Sequence, residues 1–514
     1  MTRSSAHPID PDTSFDGGDL HCGNGLLLLI RRHIDPLSQG QCLEIIASDP
    51  TVDEELRSWC RLTKNELISV LELENKRKSF LVSKGAYVPT TKKTEPEHNL
   101  EITLPAVKAV NIPEKLPQPG PAPELGQIPV MGIGSWPRPS WMMRTLSDYL
   151  SGRLSREDFD NTADDAVRLS VDAQVASGVD VVSDGEQRRD NYASFVGNIL
   201  DNCQLVPLTD LLPMVEHPEE FEKELDSLDV PADKVRHPVV FGPLGRSAAL
   251  LKRDLALVKS IVSDKPIKLA LPGPYLLTRM MWMDCIVNKV YATREELAKD
   301  IVRVLREEIH YLLADGASII QLDEPVLSEV VYSNLGGPKN KRSFMCGALS
   351  ERKDSEQELA FATELINSTV AGIPPERTGL HICRGNWTTD ESVALSGSYE
   401  PLLPVLQSVK VGHLFLEYCT ERAGSLTLLS KIPDNIRVGV GMVNPKSPQV
   451  ESVEEILARA REALNYLGQV GQHRLMLVPD CGFATFADNP VCNADNARMK
   501  LKNMVEAAEV LRNE

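Results

Sequence analysis

Eight short apolar runs, separated by amphipathic helical stretches, constrain this chain of 514 residues more than any other feature. They read "PVMGIGS", "VDVVSDGE", "PIKLALPGP", "SIIQLDEP", "TGLHICRG", "HLFLEYC", "IRVGVGMVN" and "RLMLVPDCG". Between them lie patterns such as "SREDFDNTADDAVRLSVDAQVAS" and "TREELAKDIVRVLREEIHYLLADG". A strand that is apolar along its whole length is buried on both faces, as in a parallel sheet covered by helices. Eight such units predict an α/β fold, a (β/α)8 TIM barrel over residues 128–514, with the functional groups at the C-terminal strand ends. "HPVVFGPLG" is a ninth apolar run, placed in an excursion outside the barrel wall.

The rest of the chain reads as three pieces: an N-terminal tail (1–14), a small two-layer α+β domain (15–87) and a Pro-rich linker (88–127). In the linker, Pro113, Pro117, Pro119, Pro121 and Pro123 forbid a continuous helix. The small domain reads as helix, strand, helix, strand, strand. Thr51 with Glu54 three residues on forms a capping-box pattern before "VDEELRSWCRLT". The net charge of −18 argues against nucleic acid as a partner. The longest tempting apolar run, Leu26 to Ile30, falls far short of the ~20 residues a membrane helix needs. It is also too short for a signal-peptide core, so a cytoplasmic location without membrane contact is expected. Ten cysteines scattered over the length suggest reduced thiols rather than a disulfide scaffold.

The strand ends carry Ser135, Asp184, Glu186, Asp323, Glu324, His381, Cys383, Glu417, Asn444, Asp480 and Cys481. Among these, His381 and Cys383 are two apart at the end of one strand, and alternation sends both to the same face. An imidazole, two thiolates and a carboxylate can make a tetrahedral Zn2+ site. Their summed charge exceeds that of the ion, and such an anionic centre suits a sulfur nucleophile better than activation of water. Spacing does not choose the third ligand, because Cys419 and His413 also flank Glu417. The cluster "ERAGSL" reads as solvated charge that can approach a substrate carboxylate.

Taken in order, "GIGSWP", "VVSDGEQRRDNY", "LALPGP", "IIQLDEP", "LHICRG", "LFLEYC" and "LVPDCG" resemble the catalytic half of the cobalamin-independent methionine synthase family, in its short, core-only form. The resemblance implies a catalytic Zn2+ on His381, Cys383, Glu417 and Cys481, favouring Glu417 over Cys419. It implies homocysteine held around Ile133 and Ser135, with Glu186 and Asp323 near its amino group. Where folate-using members carry a histidine after the seventh strand, Lys446 stands, a candidate proton donor or partner of an anionic donor. The tryptophan expected after "LALPGP" is replaced by Arg279 or Met280, with Trp282 close by. The methyl donor therefore stays open between methyltetrahydrofolate and a methylcorrinoid protein.

"FDGGDLHCGNGLLLLIRRHIDPLSQGQCLEIIASDP", with "LRSWC" and "FLVSKG", resembles the TusA/SirA-type sulfur-carrier family. That implies Cys22 as persulfide carrier and a sulfur-relay protein as partner, although "CGNG" lacks both prolines of that family's motif. The expected function is a zinc-dependent thiol S-methyltransferase acting on homocysteine. The alternatives are alkyl transfer to another small thiol, coenzyme M-like, and a sulfur-carrier or sulfur-sensing protein.

Overall fold

The first strand, β1 (Thr13–Asp16), precedes the first predicted helix, in a stretch too short and polar to stand out in the sequence. The computed structural model describes residues 7–9, 11–18, 26–35, 37–73, 77–87, 105–209, 211, 235–288, 290–332, 354–487 and 491–514. The chain divides into two compact units, Met1–Asn99 and Leu100–Glu514.

In the first unit, β1 pairs in parallel with β2 (Cys42–Ala47), and α1 (Leu26–Ile34) connects them. After α2 (Val52–Thr63), β3 (Glu66–Glu72) and β4 (Lys78–Ser83) pair antiparallel, giving the order β1-β2-β4-β3. Helical spacing puts Leu26, Ile30 and Ile34 of α1, and Val52, Leu56 and Cys60 of α2, into one core with Ile45 and Phe80 of the sheet. Each such fully buried apolar side chain contributes about 1.5–3 kcal/mol. The expected capping box does not form. The Thr51 hydroxyl and N–H both donate to Asp49 Oδ1, at 2.6 and 2.8 Å, and Thr51 makes no side-chain cap to the helix. The Thr51 backbone is itself helical, at φ −75° and ψ −22°, rather than in the extended conformation that turns a cap oxygen onto the helix N–H groups. Cys22 lies outside the described residues.

In the second unit, six of the eight apolar runs are regular strands: β7 (Lys268–Pro272), β8 (Ile319–Asp323), β9 (Thr378–Ile382), β10 (His413–Leu416), β11 (Arg437–Val443) and β12 (Leu475–Pro479). They form one parallel sheet in sequential order. The other two runs make single bridges only. Leu477 pairs with Val130, Met131 with Val181, and Val182 with Ile267, all parallel, so the strands run round a barrel-like circuit. Side chains explain why these two runs are not full strands. In the first, Asp180 takes the Val130 N–H at 2.7 Å and Lys268 takes the Ile133 carbonyl at 2.5 Å, and in the second Gln174 Oε1 takes the Ser183 N–H at 2.9 Å, withdrawing all three from the ladder. "HPVVFGPLG" lies in β6 (Arg236–Gly245), which pairs antiparallel with β5 (Asp201–Pro207) apart from the parallel sheet.

Alternation sorts the strands. Leu269, Leu271, Ile320, Leu322, Leu380 and Ile382 join the large core under the helices. Met131, Ile133, Val181, Phe415, Met476 and Val478 form a separate apolar cluster. The helices Arg156–Ala176 and Arg294–Ala314 start on the caps the sequence offers, Ser155 accepting from the Asp158 N–H and Thr293 from the Glu296 N–H. Residues 105–127 run without helix or strand and are pinned to the second unit. The Pro117 carbonyl meets His310 Nδ1 at 2.9 Å, and the Gly126 carbonyl accepts from Arg437 at 2.6 Å. Among the described residues no helix is long and apolar enough to cross a membrane.

Candidate metal centre and its cavity

β9 ends in His381 and Ile382, and the alternation carried one residue past its end brings Cys383 to the same side as His381. Cys481, just beyond β12, meets them. One imidazole nitrogen and the two sulfurs lie within 4.8 Å of one another, and all three residues are buried. His381 Nδ1 is held by Asp323 Oδ1 at 2.9 Å, while its Nε2 is buried without a hydrogen-bond partner. An orphaned nitrogen beside two thiols is what a closed ligand set leaves open for a soft divalent ion, and the carboxylate behind the imidazole is its usual support. The residues present therefore fit zinc. Burial pulls the His381 pKa down, but the Asp323 hydrogen bond and the neighbouring Cys383 outweigh it and the net shift is upward. The Cys481 S–H bonded to Cys383 pushes the latter down to about 6 against burial, with help from His381, and Cys481 rises accordingly.

A half-open cavity lies in front of these groups. Ile133, Ser135, Glu186 and Asp323 line it together with His381, Cys383 and Cys481, so seven of the sequence-derived candidates converge here. Glu186 is 3 % exposed, and burial pushes its pKa up to about 7, opposed by Arg189 and reinforced by Asp323 and Asp184. It sits at φ 54°, a left-handed conformation that costs a non-glycine residue on the order of 1–3 kcal/mol and clusters at functional sites. Arg138 holds that turn, donating to the carbonyls of Glu186 and Arg189 at 2.7 Å each and to the Ala484 carbonyl at 2.8 Å. Arg189 pairs chiefly with Asp184, at 3.1 Å, and lies 3.8 Å from Glu186 Oε1. The Glu186 Oε2 has no hydrogen-bond partner.

Other candidates fall elsewhere. Glu417 is buried near the cluster but outside the 4.8 Å group. Its Oε2 accepts the Arg384 N–H at 2.9 Å, and its Oε1 accepts from Arg422 Nε at 3.0 Å. "ERAGSL" is solvated only in part: Glu421 is exposed, while Arg422 closes on Glu417 and on Glu391. Cys419 points its sulfur to the Met442 carbonyl at 3.5 Å and Glu451 at 3.9 Å, and His413 bonds the Glu376 carbonyl at 3.0 Å. Neither belongs to the cluster. Asp323, expected near a substrate amino group, spends Oδ1 on His381 and on Gln321. Glu324 accepts the N–H groups of Tyr275 and Leu276, capping a helix, and Asp480 accepts those of Tyr418 and Cys419. Lys446 is 5 % exposed, and its charge acts on Glu417. Arg279, Met280 and Trp282 do not line the cavity.

Sequence reasoning missed the aromatic wall. Trp387 lines the cavity, stacked on Phe486 with ring centroids 4.6 Å apart, and meets Tyr192 edge-on at 6.2 Å. Tyr192 closes the run "VVSDGEQRRDNY" and Trp387 stands two residues beyond "TGLHICRG", so an aromatic beside a strand-end motif was the available signal.

The description "Cobalamin-independent synthase, Catalytic domain" matches residues 128–510. The chain belongs to this family. Among its relatives, the methionine synthase of Thermococcus kodakarensis is 28% identical over 392 residues, covering 76% of this chain and 95% of that protein. The methionine synthase of Sulfolobus acidocaldarius is 26% identical over 392 residues, 76% of this chain and 94% of that protein. A solved B12-independent methionine synthase from Shewanella sp. W3-18-1, in complex with selenomethionine, shares the fold with a TM-score of 0.55 at 22% identity, covering 76% of this chain and 98% of that one. As a member of this synthase family, the chain is a methyltransferase.

Proposed function

We propose that this synthase-family chain transfers a methyl group to the thiol of homocysteine, yielding methionine, with Zn2+ as its resident metal. The observation that carries the reading is the buried His381–Cys383–Cys481 triple, with an unpartnered imidazole nitrogen, opening on the cavity that also holds Glu186. In this reading the circuit of strands is a (β/α)8 barrel with these groups at its C-terminal face. His381, Cys383 and Cys481 hold the metal. Glu417, whose charge acts on both sulfurs, is the fourth donor. Bound there, Zn2+ lowers the pKa of an incoming thiol while the anionic ligand set keeps the sulfur electron-rich.

The chain's own residues do the rest. Glu186, ionised, pairs with the α-ammonium of the substrate. Ser135 and the backbone around Ile133 receive its carboxylate. Trp387 and Tyr192 screen the sulfur from water. Lys446 protonates the departing group or pairs with an anionic donor, methyltetrahydrofolate or a methylcorrinoid protein. The N-terminal unit is read as a TusA/SirA-like sulfur-carrier module with a sulfur-relay partner, supported by its β-α-β-α-β-β order.

The test is a methyl-transfer assay of the purified full chain with zinc. Homocysteine is compared with other small thiols, and methyltetrahydrofolate, its polyglutamate and methylcobalamin are compared as donors. Methionine formed from one donor is expected. Turnover only with a coenzyme M-like thiol would replace the acceptor, and stable persulfide on Cys22 with no turnover would replace the enzyme reading. A second expectation comes from Gly134, where an added Cβ would lie 2.1 Å from Glu186 Oε1. Because that oxygen ends a flexible side chain, Gly134→Ala is expected to swing it aside. KM for homocysteine should rise about tenfold with little change in melting temperature.

A further inference from the structure

Lys268 is buried, 1 % exposed, inside a run that the sequence reads as apolar strand. Its Nζ donates to the Ile133 carbonyl at 2.5 Å and to Gln321 Oε1, and lies 4.5 Å from the centroid of the Phe415 ring. A Cβ at Gly379 or at Gly439 would come within 2.6 Å of that ring, so the two glycines admit Phe415 beside the ammonium. Gln321 Nε2 in turn donates to Asp323 Oδ1 at 2.7 Å, the same oxygen that meets His381 Nδ1 at 2.9 Å. The methyl-transfer reading gives no task to Lys268 or Gln321.

Donor and acceptor chemistry makes this chain one-directional. A lysine nitrogen facing two oxygens can only donate to them, and an ionised carboxylate can only accept. Gln321 must therefore turn its oxygen to Lys268 and its NH2 to Asp323. Asp323, anchored from that side, accepts the Nδ1–H of His381, and the other imidazole nitrogen keeps its lone pair. Burial, opposed by Asp323, Glu186 and Asp184, lowers the Lys268 ammonium to about 7. The direction survives its deprotonation, since a neutral amine still carries two N–H groups for two oxygens.

We propose that Lys268 is a positioning residue: through Gln321 and Asp323 it fixes the His381 imidazole with Nδ1 protonated and Nε2 open, and through the Ile133 carbonyl it ties that imidazole to the segment lining the same cavity. The proposal rests on the reading of His381 as a metal ligand, and its test separates the two.

The full-length chain is labelled with 15N-histidine and kept metal-free, at a pH raised until the His381 imidazole is neutral. The imidazole nitrogens of His381, assigned against His381→Gln, are read by long-range proton–nitrogen correlation. Zinc(II) affinity is measured separately by competition with a chromophoric chelator. The wild type is expected to show the Nδ1–H form. Lys268→Met is expected to show a mixture of tautomers and about 10–100-fold weaker zinc binding. Wild-type tautomer and affinity in Lys268→Met would overturn the proposal. If that variant does not unfold cooperatively, Gln321→Leu, which leaves Lys268 on Ile133, is read instead. The same losses are expected from it, and wild-type values overturn the proposal. A wild type that shows the Nδ1–H form and its loss in the variant, yet binds no zinc, would end the metal reading and uphold the positioning role.

Discussion

Cys481→Ala is expected to abolish methyl transfer, to below about one part in 10³ of wild type, and to leave the purified chain with less than about a tenth of its zinc. A metal centre contributes several kcal/mol to such a step, and each 1.4 kcal/mol is a factor of ten. Sulfur 481 is one of three donor atoms within 4.8 Å of one another, so its removal leaves two. The variant should still unfold cooperatively, since Cys→Ala removes one small buried atom. Cys419→Ala is the matched control, because that sulfur faces the Met442 carbonyl and Glu451. It should keep both zinc and activity. Metal analysis and a methionine assay on the two proteins decide the matter: equal zinc in both would contradict the cluster.

The second large effect is expected from Glu186→Gln. Losing a buried charge-assisted pair to the substrate ammonium costs about 1.5–3 kcal/mol, so KM for homocysteine should rise about 10–100-fold, with a smaller change in kcat. The pH dependence follows from the burial that raises the Glu186 carboxyl to about 7. In the wild type, homocysteine binding should strengthen as pH rises through that value and the carboxylate forms. The variant should show no such rise. The stability sign is the reverse. A carboxyl raised in the folded state keeps its proton between its unfolded value, near 4.5, and about 7, so its contribution is full below that window and is lost across it. Glu186→Gln should therefore be more stable than wild type above pH 7 and about equal to it below pH 4.5. Thermal unfolding at both ends tests this.

The period-2 signal made much of the site legible. "TGLHICRG" alternates, so His381 and Cys383 had to share a side while Leu380 and Ile382 joined the outer core. What stayed hidden depends on contacts that no local pattern encodes. Lys268 sat inside an apolar run, and only the three-dimensional circuit brings Gln321, Ile133 and Phe415 to its nitrogen. Asp323 and Glu417 looked alike as strand-end carboxylates. Their partners, His381 for one and Arg422 with the Arg384 N–H for the other, are set by neighbouring strands and a loop. The strand β1 was missed because four residues cannot establish a period, and the Thr51 cap failed because the backbone there is helical rather than extended. Aromatic residues at loop positions, Tyr192 and Trp387, carried no periodic signal at all.

The central claim is a metal held by sulfur and nitrogen at His381, Cys383 and Cys481. Zinc-edge X-ray absorption on the purified full chain, with metal stoichiometry from the same sample, tests it most directly. About one zinc per chain is expected, with two sulfur neighbours near ~2.3 Å and an imidazole nitrogen near ~2.0 Å. A zinc surrounded only by oxygen and nitrogen, or undiminished methyl transfer by a chain stripped of metal, would contradict it.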